Sequence, residues 1–301
     1  MKNPDRKSKQ ERESEDSGSK KGTLYIVSTP IGNDEDISLR ALRVLKKSDI
    51  VVCEEPKIGA RLLHKLNLKQ SMELLNEQNE YEKAPELIKL LETGKHLSLV
   101  SDAGTPLFAD PGHTLVRMAL KRDINIIVVP GASSIMTAVV RSGFDIQKFY
   151  YAGFLSRKPE ERLDELKYLK NVSSTVILLE TPYRLLPVLS AAMEIMPDRD
   201  AYIGCNLTMV YETHHYGTFK ELYKKFADMR FKGEFVIVFE GNKVAGGNEF
   251  KRFNKKSARF SKASSSRGYK KSYSSHSSGK FKGANRNFKG SSRNFKDKKR
   301  Y

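Results

Sequence analysis

Three short segments carry residue types and spacings suited to holding a small polar ligand. The first, Ser101-Asp102-Ala103-Gly104-Thr105-Pro106, cuts off the apolar run at residues 97–100. Asp102 can accept hydrogen bonds from ribose or amine groups, Gly104 lets backbone come close to a ligand, and Pro106 stiffens the turn. The second, Ser28-Thr-Pro-Ile-Gly-Asn33, ends the apolar run at residues 24–27. The third is Pro130-Gly-Ala-Ser-Ser134, where two serines at a helix start can cap it or present hydroxyl and N–H groups to a ligand. Each segment is equally what a plain strand-to-helix turn requires. In open α/β sheets ligands bind just past the carboxyl ends of strands, which is where all three fall.

The elements around these turns alternate. Apolar runs at 24–27, 50–53, 97–100 and 124–129 read as strands, and between them apolar residues recur at helical spacing, as in Leu39, Ala41, Leu42 and Leu45 or Leu115, Val116 and Leu120. Ser38 or Asp36 is the expected N-cap of the first helix. Further on, strands are predicted at 149–154, 175–179, 201–207, 211–216 and 235–239, with helices over 135–141, 160–169 and 219–229 and another that follows Glu180-Thr-Pro-Tyr-Arg184 and runs to Met196. Strands alternating with helices define the α/β class. The late strands follow one another at short intervals, which predicts a mixed second sheet. The expected organisation is a charged arm at 1–21, α/β domains at 22–128 and 129–242, and a tail at 243–301.

The 301 residues carry a formal net charge of +18, unevenly placed. Residues 251–301 hold 18 Lys or Arg against one acid, Asp297, leaving 36 basic and 35 acidic residues in the rest. A polyanionic partner is therefore implied for the tail rather than for the body. Aliphatic residues nearly vanish from the tail, so it is expected to remain disordered. Rings nevertheless recur at Phe253, Phe260, Tyr269, Tyr273, Phe281, Phe288, Phe295 and Tyr301. Cations interspersed with rings suit single-stranded RNA, whose phosphates meet Lys and Arg while its bases stack. No apolar run approaches the ~18 residues needed to span a bilayer. The two cysteines, Cys53 and Cys205, lack metal-ligand spacing and read as buried thiols of a reducing compartment. His214 and His215 are neighbours in a predicted strand, point to opposite faces, and cannot easily share an ion.

Taken together the loops carry a resemblance. Leu24-Tyr-Ile-Val-Ser-Thr-Pro-Ile-Gly-Asn33, Ser101-Asp-Ala-Gly-Thr-Pro106 with Asp110-Pro-Gly112, Pro130-Gly131 with Ser133, Gly153-Phe-Leu155, Glu180 with Arg184-Leu-Leu186, and Gly233-Glu234 resemble the tetrapyrrole methylase superfamily. Within it they are most similar to the branch that methylates small-subunit ribosomal RNA. The resemblance covers about residues 23 to 241. It implies the two-domain class III methyltransferase fold, a homodimer, S-adenosylmethionine in the cleft, no metal, and methyl transfer to a cytidine 2′-hydroxyl in the small ribosomal subunit.

The resemblance also implies where the contacts fall. The cofactor is expected at Pro30 and Ile31, at Asp102, Ala103, Gly104, Thr105 and Phe108, at Ser133, Ser134 and Ile135, and at the strand ends Glu180 and Phe235. Glu80, Arg184 and Glu212 are the catalytic candidates. Glu80 or Glu212 would orient the hydroxyl or take its proton, and Arg184 would hold a phosphate. Three polar segments depart from the family pattern: Glu54-Glu55-Pro56-Lys57, Asn76-Glu77-Gln78, and Cys205-Asn206-Leu207-Thr208-Met209. The last of these removes charges that would have met RNA. Two readings compete with rRNA methylation: a homologue that binds RNA with altered or absent turnover, and a methylase acting on a small tetrapyrrole.

Overall fold

A computed structural model describes residues 21–229 and 233–243. The expectations for the charged arm and for the tail lie outside these residues. Strands β1 (Thr23–Val27), β2 (Ile50–Cys53), β3 (Ser71–Leu74), β4 (Leu97–Val100) and β5 (Asn125–Val129) form one sheet in the order β3-β2-β4-β1-β5. Every pairing in it is parallel. Its residues alternate between two buried faces. Leu24, Ile26, Val52, Leu97 and Leu99 pack on α3 (Glu80–Glu92) and α4 (His113–Lys121). Val27, Val51, Cys53 and Val100 pack on α1 (Leu39–Lys47) and α2 (Pro56–Lys65). A sheet covered on both faces explains why these strands read as continuous apolar runs. Of the two cap candidates Ser38 is the one used, its Oγ accepting from Ala41 N at 3.0 Å.

The second sheet joins β6 (Phe149–Gly153), β7 (Thr175–Glu180), β8 (Asp200–Cys205), β9 (Thr213–Thr218) and β10 (Phe235–Phe239) in the order β6-β7-β10-β8-β9. It is mixed: β6 runs parallel to β7, and the remaining pairs are antiparallel. One face buries Val176, Leu178, Ile203, Phe235 and Ile237 against α6 (Pro159–Leu169), α7 (Pro182–Ile195) and α8 (Phe219–Ala227). The other buries Ile177, Tyr202, Val236 and Val238 under α5 (Ser134–Ser142).

Two element readings are corrected. Strand β3 carries no apolar alternation and forms because β2 offers its free edge, with Ile50 to Cys53 paired to Ser71 to Leu74. The strand expected over 211–216 begins only at Thr213, because Asn206 and Thr208 turn the chain through left-handed backbone, φ 50° and 66°.

Candidate active site

All five strands of the first sheet end on one edge because all are parallel, and three of the loops there are tied together. Thr29 and Gly104 exchange backbone hydrogen bonds, Thr29 N to Gly104 O at 2.8 Å and Gly104 N to Thr29 O at 3.2 Å. Ser28 and Thr105 share a hydroxyl hydrogen bond of 2.9 Å, and Thr105 Oγ1 donates to Ala132 O at 3.4 Å. Ser101 Oγ donates to Gly104 O at 3.0 Å and closes its own loop. Gly104 has φ +85°, and a Cβ there would lie 3.2 Å from Ile31 Cγ2. The backbone angle thus favours glycine, and any side chain there would crowd Ile31 of the first loop.

The sheet ends gathered on the second half face this edge. Register places Glu180, Cys205 and Phe235 side by side, with Thr213 next to Cys205. Thr208, just past β8, accepts Asn33 N–H on its Oγ1 at 3.0 Å. A Cβ on Gly32 would lie 2.6 Å from Met209 Cγ. Ile31 packs on the α5 side of the second core, and Tyr151 Oη donates to Phe108 O at 3.3 Å. Within the segment 205–209, which departs from the family pattern, Thr208 and Met209 meet the loop after β1.

The expected contacts divide into three groups. Pro30, Ile31, Asp102, Ala103, Gly104, Thr105 and Ser133 lie on the tied loops, and Ser134 opens α5 directly after them. Ser133 caps α5, accepting from Met136 N at 3.4 Å. Phe108 reaches across to Tyr151, rings 5.9 Å apart and edge-on. Glu180 is 1% exposed, and burial raises its pKa against the pull of Thr181 N–H and Arg184. Two side chains turn away from the crevice. Ile135, on α5, packs onto the second sheet, and the Phe235 ring lies in the opposite core against Phe226. An apolar residue at a strand end follows the strand's alternation, which the local sequence does not phase.

The catalytic candidates are each engaged. Glu80 Oε1 accepts from Gly112 N at 3.0 Å and Thr114 N at 2.6 Å, capping α4 in place of a side chain at Gly112. Glu212 Oε2 accepts from Thr208 N, and Oε1 lies 2.9 Å from His214 Nε2. Arg184 Nε lies 3.3 Å from Glu180 Oε1, and its Nη2 donates to Leu155 O. His214 and His215 do face opposite ways: His215 is 6% exposed against the Phe226 ring, while His214 Nδ1 meets Tyr202 Oη at 2.8 Å.

The carboxylates that the sequence reading left out are Glu54 and Asp110. Burial, reinforced by Asp102, Asp110, Glu77 and Glu55, pushes Glu54 up to about 7. Burial and Asp102 push Asp110 up to about 6. Their clustering follows from parallel strand ends meeting on one edge, which residue spacing does not show. Asp102 adds the clearest sign of a ligand: its Oδ1 is buried and has no hydrogen-bond partner among the described residues. Such an atom costs about 1–3 kcal/mol unless something supplies a donor.

A cradle of tied glycine-bearing loops, an orphan acceptor and a facing sheet edge match a nucleoside-type ligand held in a crevice. Residues 23–223 match the tetrapyrrole (corrin/porphyrin) methylase family. The chain belongs to that family and is an S-adenosylmethionine-dependent methyltransferase. Among relatives, it is 39% identical to ribosomal RNA small subunit methyltransferase I of Rickettsia prowazekii, over 74% of this chain and 79% of that one. It is 38% identical to the Thermotoga maritima protein of the same name, over 73% and 99%. The fold is also that of Thermus thermophilus uroporphyrin-III C-methyltransferase, solved with S-adenosyl homocysteine, at 17% identity, TM-score 0.53, and coverage of 74% and 99%.

Proposed function

We propose that this chain transfers a methyl group from S-adenosylmethionine to the 2′-hydroxyl of a cytidine in small-subunit ribosomal RNA. The observation that carries the reading is the tied cradle around Gly104 with the unpartnered Asp102 oxygen, in a chain whose relatives bear that name. The bound cofactor supplies a methyl already activated on a sulfonium. Asp102 would accept from its hydroxyl or amine groups. Gly104 admits the ligand to the backbone, and Ile31 and Phe108 close the crevice against water. Glu80, by capping α4, fixes the loop that carries Asp110. Glu212 fixes Thr208 and so the gap between the halves. Both carboxylates accept internal hydrogen bonds, so Glu54, raised to about 7 and therefore partly ionised near neutral pH, is the best-suited group to take the ribose proton in its carboxylate form.

Several further parts belong to this proposal. Residues 22–128 and 129–242 act as two domains closing on the cofactor, and the protein works as a homodimer. The basic, ring-bearing residues 243–301 hold RNA. No helix among the described residues is long and apolar enough to cross a membrane, and Cys53 and Cys205 are buried free thiols, which supports a cytoplasmic enzyme.

Mapping 2′-O-methyl groups on small-subunit rRNA with and without the protein, together with radiolabel transfer, tests the reading. One cytidine gaining the mark is the expected result. Cofactor binding without transfer to any RNA would instead favour an RNA-binding homologue. Transfer to a tetrapyrrole alone would overturn the RNA substrate.

A further inference from the structure

The loop after β6 and the first turn of α7, which follows β7, leave aromatic side chains in solvent beside the crevice. These two strands are parallel neighbours, so Phe154 and Tyr183 follow sheet ends on the same edge. Phe154 is 43% exposed and Tyr183 is 93% exposed. Arg184, the next residue of α7 after Tyr183, has its guanidinium carbon 5.9 Å from the Phe154 ring centroid. One side of that guanidinium is anchored, its Nε facing the buried Glu180 carboxylate and its Nη2 donating to the Leu155 carbonyl. What it offers is a flat face held in place without further ordering cost.

We propose that Phe154, Arg184 and Tyr183 form a stacking shelf for an unpaired RNA base next to the methylated ribose. The inference rests on the rRNA reading above and names how the substrate strand is gripped. Planar faces suit bases of any identity, and the exposed Arg157 on the loop after β6 suits a neighbouring phosphate. The shelf adjoins the place where Tyr151, on β6, meets Phe108 of the first half, so a stacked base would lie near the cradle.

The test uses the full chain, with Phe154→Ala and Tyr183→Ala made singly and together, and Tyr183→Phe as the conservative control. Binding to a bare single-stranded rRNA oligonucleotide is measured at salt high enough to screen the basic tail. Methyl transfer to small-subunit rRNA is measured in parallel. Each alanine is expected to weaken oligonucleotide affinity about tenfold and to raise KM with little change in kcat. The slope of affinity against salt should not move, because no phosphate contact is lost. S-adenosylmethionine affinity should hold, and Tyr183→Phe should behave as wild type. Affinity unchanged within about twofold would overturn the proposal, as would a shallower salt slope. So would a loss seen only with assembled subunits, which would assign the shelf to a protein surface. The oligonucleotide arm stands even if wild type methylates no rRNA; that result would sink the proposed substrate and leave the shelf to be judged on binding alone.

Discussion

On the first sheet, the loops facing the crevice are joined backbone to backbone and by short hydroxyls: Thr29 with Gly104, Ser28 with Thr105, Thr105 with Ala132. On the second, the facing edge presents long side chains: Tyr151, Phe154, Tyr183 and Arg184, with Glu212 bracing the turn after β8. The difference has a topological source. A wholly parallel sheet delivers every carboxyl end to one edge, so adjacent loops can cross-link each other. The mixed sheet brings together strand ends and strand starts, whose connections are less alike. A cofactor common to a family fits a preorganised cradle, while a particular substrate fits a surface built from replaceable side chains.

The sharpest way to break this contrast is at the cradle. Gly104→Val places a branched side chain at φ +85° against Ile31 and should abolish detectable S-adenosylmethionine binding by calorimetry, a loss of about 100-fold or more. Tight binding by this variant would show that the cradle is not the cofactor site. Next in size, deleting residues 243–301 is expected to weaken RNA binding about 10- to 100-fold and to flatten its salt dependence. Cofactor affinity should be untouched, and an unchanged salt slope would remove the tail from the RNA contact.

Smaller effects sharpen the roles of individual carboxylates. Glu80→Ala strips two backbone N–H groups at the start of α4 of their acceptor and should cost about 1–2 kcal/mol in chemical denaturation. Glu80→Gln, which keeps an acceptor oxygen, should recover much of that loss. The smallest effect is pH-dependent. Glu54 is raised from 4.5 to about 7 in the folded chain, so its contribution to stability is complete below pH 4.5 and is lost as pH climbs through 7. Glu54→Gln should accordingly gain on wild type between those values and level off above, by about 1 kcal/mol because its partial exposure screens the charge. Denaturant midpoints at pH 5 and pH 8 read this directly, and a gap that does not widen would mean that Glu54 is ionised like a free carboxylate.

Much of the architecture was legible because local pattern and tertiary demand agree. Residues 24–27 and 97–100 are apolar throughout since both faces of their sheet are covered, and the glycine- and proline-bearing turns after them mark strand ends wherever they occur. The second sheet's mixed character was readable from its short connections. Strand β3 was not, because Ser71-Met-Glu-Leu74 becomes a strand only through pairing with β2. The catalytic candidates were readable as residue types but not as roles: Glu80, Glu212 and Arg184 each make internal hydrogen bonds or ion pairs that position neighbouring backbone or side chains.

The amino-acid order alone determined the alternating elements, the family-bearing turns and the division between a near-neutral body and a cationic tail. These are properties of short windows and of composition. Only the tertiary structure decided that Asn33 would be met by Thr208, 175 positions away, that Phe235 would turn into the core, and that five carboxylates would crowd one edge and lift Glu54 toward neutrality. Each of these depends on distances between segments far apart in the chain, and residue spacing carries no record of such distances until the sheets are assembled.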